Sequence, residues 1–177
     1  GGCRGGGRYA ARALPGGGGT EDVRWLGAAP AFVRDWVNAV EDGDEVVRDG
    51  FCQSTRSPKR LPEVSASQNL FRFLDLYAMG ARAHRWRFNL KTGETREESL
   101  SERCAEFPMI NGRHAGRRHR YTYNALCAPS LFAFNGLIKH DVDTGNEEVV
   151  TFPDGVFISE SVMAPRRSEE HTAELPS

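Results

Sequence analysis

The stretch His84-Arg85-Trp86-Arg87-Phe88-Asn89-Leu90-Lys91-Thr92-Gly93 decides how this chain is read. Bulky apolar residues (Trp86, Phe88, Leu90) alternate with polar ones (Arg85, Arg87, Asn89), the period-two pattern of a strand with one buried face. Lys91-Thr92-Gly93 interrupts it, and Gly93 can take the left-handed conformation that a hairpin bulge needs. Residues 95–100 are expected to return as the partner strand.

The same device recurs downstream. Residues 137–142 lead into Asp143-Thr144-Gly145, and residues 147–152 return. The two Thr-Gly turns are about 52 residues apart, and one hairpin per unit of that length is the size of a β-propeller blade. Residues 118–126 and 156–163 read as further strands. Residues 68–79 fit a short helix by apolar spacing, or equally a strand and a loop. The expected fold is all-β, part of a propeller with about three blades present. Propellers close with roughly four to eight blades. Three would leave long unpaired strand edges, which favour aggregation, so a fragment is expected.

Composition narrows the function classes. The 177 residues suit one ordinary domain, 39% hydrophobic and 27% charged. A net charge of −1 provides no global field for nucleic acid or an anionic membrane. No apolar run is long enough for a bilayer-spanning helix, and no secretory signal is visible. Contact at a membrane surface stays open. The 23 basic residues include only three lysines, Lys59, Lys91 and Lys139. Cys3, Cys52, Cys104 and Cys127 form no Cys-x-x-Cys pair, which argues against a zinc knuckle and fits isolated thiols in a reduced, cytoplasmic setting.

Both ends differ from the middle. Residues 1–19 are dominated by Gly, Arg and Ala and are not expected to bury a core. Residues 167–177 resemble the conceptual translation of a sequencing adapter and are read as a foreign tail. The folded unit is expected over residues 20–166.

Within that unit, Phe32-Val33-Arg34-Asp35-Trp36-Val37-Asn38-Ala39-Val40-Glu41-Asp42-Gly43-Asp44 resembles a motif of the carotenoid cleavage oxygenases, Phe-x-x-His-x-x-Asn-Ala-x-Glu-x-Gly-Asp. Phe32, Asn38, Ala39, Glu41, Gly43 and Asp44 match, and Asp35 stands at the His position. Three more segments match in order: Glu106-Phe107-Pro108-Met109-Ile110-Asn111 with residues 116–121, residues 134–141 with Thr144-Gly145, and residues 159–166. The resemblance covers residues 22–166 and is nearest the lignostilbene and apocarotenoid dioxygenase branch.

That resemblance implies a seven-bladed propeller with Fe(II) on its axis, held by four His and supported by outer Glu side chains. Imidazole suits Fe(II), and an outer carboxylate fixes ring orientation. It implies oxidative cleavage of a conjugated C=C bond, in an apocarotenoid or a stilbene-like molecule, by dioxygen into two carbonyl products. By correspondence Asp35 occupies an iron-ligand position, and Glu106 and Glu160 match outer Glu positions. Met109 and Ser161 depart from the usual pattern. The first two iron His would precede Gly1 and the fourth would follow Arg166, so no catalytic ligand set is intact here.

Each residue also has a plainer reading. Asp35 has three readings: a sequencing error, since Asp and His codons differ by one base; a real carboxylate that still ligates iron; or the mark of an inactive relative that binds an apolar ligand. Glu106 and Glu160 could be surface carboxylates. His84, His114, His119 and His140 show no metal-ligand spacing and read as strand-face or loop histidines. Arg113, Arg117, Arg118 and Arg120 read as a solvated edge rather than a nucleic-acid face. Trp25, Trp36, Trp86 and the Phe residues read as core. A scaffold propeller of the interaction type would need Gly-His and Trp-Asp signatures, which are absent.

Overall fold

The computed structural model describes residues 9–13, 18–53, 63, 65–68, 76–129 and 133–164. Ten strands are present among them: β1 (Tyr9–Ala13), β2 (Arg24–Ala28), β3 (Phe32–Asp42), β4 (Glu45–Gln53), β5 (Ala81–Asn89), β6 (Thr95–Ser99), β7 (Ala105–Met109), β8 (Tyr121–Cys127), β9 (Phe134–Asp141) and β10 (Glu147–Thr151). Every pairing is antiparallel. β3-β4-β5-β6 form one four-stranded sheet, β7-β8-β9-β10 a second, and β1-β2 a ribbon. Each four-stranded sheet is a meander in which sequence neighbours pair, with residues 54–80 joining β4 to β5.

The two predicted hairpins use one device. Asn89 Oδ1 accepts from the Lys91 and Thr92 N–H groups, and the Gly93 N–H donates to the Asn89 carbonyl at 2.9 Å. Asp141 Oδ1 accepts from the Asp143 and Thr144 N–H groups, and the Gly145 N–H donates to the Asp141 carbonyl at 2.8 Å. Gly93 and Gly145 both have φ of 76°, where a Cβ would be strained. An Asx side chain opens each turn and a glycine closes it.

Three apolar clusters hold the sheets. Phe51 and Ala83 of the first sheet meet Ala105 and Ile138 of the second, so the two sheets pack on each other. Phe51 and Ile138 are each 1% exposed, and burying side chains of this size stabilises by about 1.5–3 kcal/mol apiece. Leu26 of β2 joins Cys52, Trp86 and Phe88 on another face of the first sheet. Met79, Ala81, Cys104, Ala125, Cys127 and Phe134 close the third.

The structure corrects several expectations. Residues 9–13 form β1, so part of the Gly-rich segment is ordered by backbone pairing to β2 rather than by a core of its own. Residues 156–163 are not a strand: only Ile158 bridges, to Phe134, because the Asp154-Gly155 turn has already taken the chain off the β10 direction. Trp86 is core at 3% exposure, but Trp25 is 66% and Trp36 44% exposed. Trp36 sits on the edge strand β3 with the Arg48 guanidinium 3.4 Å over its ring, a cation–π contact that suits a half-wet position. Cys52 is disulfide-bonded, contrary to the reading of four isolated thiols. Residues 76–79 form one α-helical turn and residues 66–68 are helical, while residues 69–75 lie outside the described residues.

Candidate functional site

Asp35 and Glu106 lie on the edge strands β3 and β7, one from each sheet, and the fold brings them together. Both strands are irregular at these positions. The β3–β4 register shifts between Val33 and Trp36, and again between Trp36 and Asn38, so Asp35 falls inside a bulge. Bulges re-aim side chains that regular pairing would send elsewhere. Gly50 on β4 makes room for this one: a Cβ there would stand 2.7 Å from Trp36 Cε3 and 2.9 Å from the Asp35 carbonyl oxygen. The β7–β8 register shifts just after Glu106, where Phe107 has φ of 50°. A non-glycine residue in that region stores about 1–3 kcal/mol of strain. Phe107 is held there against Phe134, with ring centroids 4.9 Å apart.

The electrostatics follow from burial. Glu106 is 0% exposed, and its pKa is pushed up to about 8, first by burial and then by the facing Asp35 carboxyl. Arg34 opposes this weakly, with Nε 4.0 Å from Glu106 Oε2, because its side chain is 41% exposed. Glu106 therefore holds a proton at neutral pH. Asp35 Oδ2 and both Glu106 carboxyl oxygens are buried and receive no hydrogen bond from any other donor group among the described residues, so the Glu106 proton is shared with Asp35. Two such carboxyls at one spot suit a shared proton or a cation. No three His, Cys, Asp or Glu side chains among the described residues are grouped to hold a metal. The described residues do not by themselves fit a complete iron centre.

Glu160 is exposed in the irregular stretch beyond Ile158. A second polar layer lies between the sheets. Asp49 of β4 and Arg85 of β5 form a buried bidentate pair at 2.7 and 2.8 Å, and His119 Nε2 lies 3.9 Å from Asp49 Oδ2. His84 and His140 are buried nearby on strand faces, His119 in the loop before β8. Burial lowers the pKa of all three. Two of the four clustered arginines are paired: Arg118 with Asp143 at 3.1 Å and Arg120 with Asp141 at 2.8 Å. Sequence reasoning passed over Gly50, Phe107 and the Asp49–Arg85 pair. Only Gly50 left a signal, a glycine inside a strand pattern.

This chain belongs to the retinal pigment epithelial membrane protein family of carotenoid cleavage oxygenases, whose family match spans residues 11–174. The match takes in part of the terminal segment read from the sequence as foreign. The chain is 32% identical to carotenoid 9,10(9',10')-cleavage dioxygenase 1 of Phaseolus vulgaris, over 82% of this chain and 28% of that protein. It is 30% identical to a carotenoid cleavage oxygenase of Mycobacterium tuberculosis, over 88% and 31% respectively. It is 32% identical to an isoeugenol monooxygenase of Pseudomonas putida, over 70% and 27%. Its fold matches cobalt-substituted Synechocystis apocarotenoid oxygenase with a TM-score of 0.73 at 22% identity, over 90% of this chain and 32% of that one. The chain thus spans less than a third of these relatives' length.

Proposed function

We propose that the protein containing this segment is a non-haem Fe(II) dioxygenase that cleaves a conjugated C=C bond into two carbonyl products. Its substrate would be an apocarotenoid or a stilbene-like aryl alkene. The two four-stranded sheets would be blades of a seven-bladed propeller, with the bulged edges of β3 and β7 facing its axis. The observation that carries this reading is the convergence of Asp35 and Glu106 from separate sheets into one buried acidic site. Relatives named for carotenoid and isoeugenol oxygenation support the substrate class.

Iron, when bound, supplies the activation of dioxygen. The described residues lack a full ligand set, so no step is derived through it. This chain's own contribution is positional. The β3 bulge aims Asp35 at the site, Glu106 places a protonated carboxyl beside it, and the packed sheets exclude water. Whole protein assayed for bound iron, and for paired carbonyl products from both substrate classes, tests the reading. Absence of both would refute it.

A second reading has a specific observation behind it. Asp35 replaces an imidazole, and an inactive propeller that holds an apolar ligand would tolerate that change. Asp35→His in the whole protein separates the two. Iron gained only in the variant supports the inactive relative, and equal iron in both proteins excludes it.

A further inference from the structure

Asn38 lies three residues beyond Asp35 on β3, past the bulge, and reaches out of its own sheet. Its Nδ2 is 3.0 Å from the His114 carbonyl oxygen, 2.9 Å from that of Arg117 and 3.1 Å from His119 Nδ1. Its Oδ1 accepts from the Gly116 N–H at 3.0 Å. These partners fix the amide's orientation, since carbonyls only accept and the Gly116 N–H only donates. The amide nitrogen has two protons to share among these three acceptors and no lone pair to offer. His119 Nδ1, facing that NH2, is therefore bare, and the ring proton sits on Nε2. Nε2 is buried with no hydrogen-bond partner among the described residues.

We infer that Asn38 and His119 form a proton-sensitive latch, which ties the Asp35 strand to the 111–120 loop of the second sheet while His119 is neutral and releases it when the ring gains a second proton. That proton must enter at Nδ1, where it would point at the Asn38 NH2, donor against donor. The latch would then lose its contact to the ring, and Asn38 would be pushed from the loop carbonyls and from Gly116.

The surroundings set when this happens. Asp49 of β4 and Asp143 of the turn after β9 favour the charged ring, whereas Arg85 of β5 and His114 of the same loop oppose it. Arg118, Glu41, Asp42 and Arg87 line the same cavity of about 180 Å³. Arg118 is paired with Asp143, and Arg87 with Asp42. Asp49 is already engaged by Arg85 through both oxygens, so it offers His119 little. Burial, which opposes the charge, dominates, and the latch stays closed near neutrality. The inference rests on the geometry between the sheets and not on the oxygenase reading.

The test uses the whole protein and two local probes, the ¹⁵N shifts of the His119 ring and hydrogen exchange at the Gly116 amide. The expected result is an Nε2–H tautomer near neutrality and Gly116 protection that falls roughly tenfold as the pH is lowered below the ordinary histidine range, in step with protonation of the His119 ring. His119→Gln should abolish that fall, and Asn38→Ala should lower protection at every pH. An Nδ1–H tautomer, pH-independent protection in the parent, or an equal fall in His119→Gln would each overturn the latch. If Asn38→Ala does not fold, the tautomer and the His119→Gln comparison still decide.

Discussion

Glu106 is wholly buried on one edge strand with the Asp35 carboxyl of another sheet's edge strand set against it. Glu106 is buried and Asp35 half-buried, and neither finds a partner for its carboxyl within its own sheet. The pair exists because the two meanders pack on each other around it, and its properties follow from that packing.

Stability of the metal-free protein should depend on Glu106 with a definite sign. Its folded pKa of about 8 lies above the ordinary 4.5. Below about 4.5 the group is protonated folded or unfolded, and the pair carries no penalty. Between the two values the unfolded chain releases a proton that the folded one keeps, so stability falls as pH rises and levels off above about 8. Denaturant titrations across this range should show that slope, and Glu106→Gln should flatten it. An unchanged slope in the variant would place the titration elsewhere.

Gly50 should not accept a side chain. A Cβ at that position meets Trp36 and the Asp35 backbone at under 3 Å. Gly50→Ala is expected to destabilise by about 1–3 kcal/mol, the range for overpacking, and to displace Asp35. Gly27→Ala, with nothing within 4 Å of its Cβ, serves as the control. Equal melting temperatures for the two variants would contradict the close approach.

The Asp49–Arg85 pair should be costly to break from one side. Both side chains are largely buried, at 5% and 14% exposure. Arg85→Met leaves a buried carboxylate without its main partner and should cost about 3–5 kcal/mol. Pairing it with Asp49→Leu should recover much of that loss. A double variant as unstable as the sum of the singles would mean that the two residues act independently.

The 177-residue polypeptide is expected to take up no stoichiometric iron, because no three-ligand group occurs among its described residues. Metal analysis after reconstitution with Fe(II) checks this. One iron per chain would show that a site forms which the described residues do not reveal.

Local pattern was readable wherever one physical period dominated. The alternation over 84–90 and the two Asx-to-glycine turns define β5, β9 and their partners, because side-chain direction and a positive φ are properties of neighbouring residues. The failures share a different cause. Trp25 and Trp36 were expected in the core on size, yet exposure depends on which sheet edge a residue occupies. Residues 156–163 carry strand-forming composition but find only one bridging partner, at Phe134. The plain histidine reading of His84, His119 and His140 was right in placing them on strands or a loop, and it left their burial unseen.

The sequence by itself determined that the chain folds as antiparallel hairpins and that Asp35 and Glu106 belong to family motifs. The first follows from local residue order and spacing, the second from the resemblance of the matched segments. Only the tertiary structure decided that Asp35 lies in a bulge admitted by Gly50, that it meets Glu106, and that Asn38 crosses to His119. The bulge depends on how β3 pairs with its neighbour β4, and the other two relationships join residues about 70 to 80 positions apart by packing one sheet against another, contacts that no local period encodes.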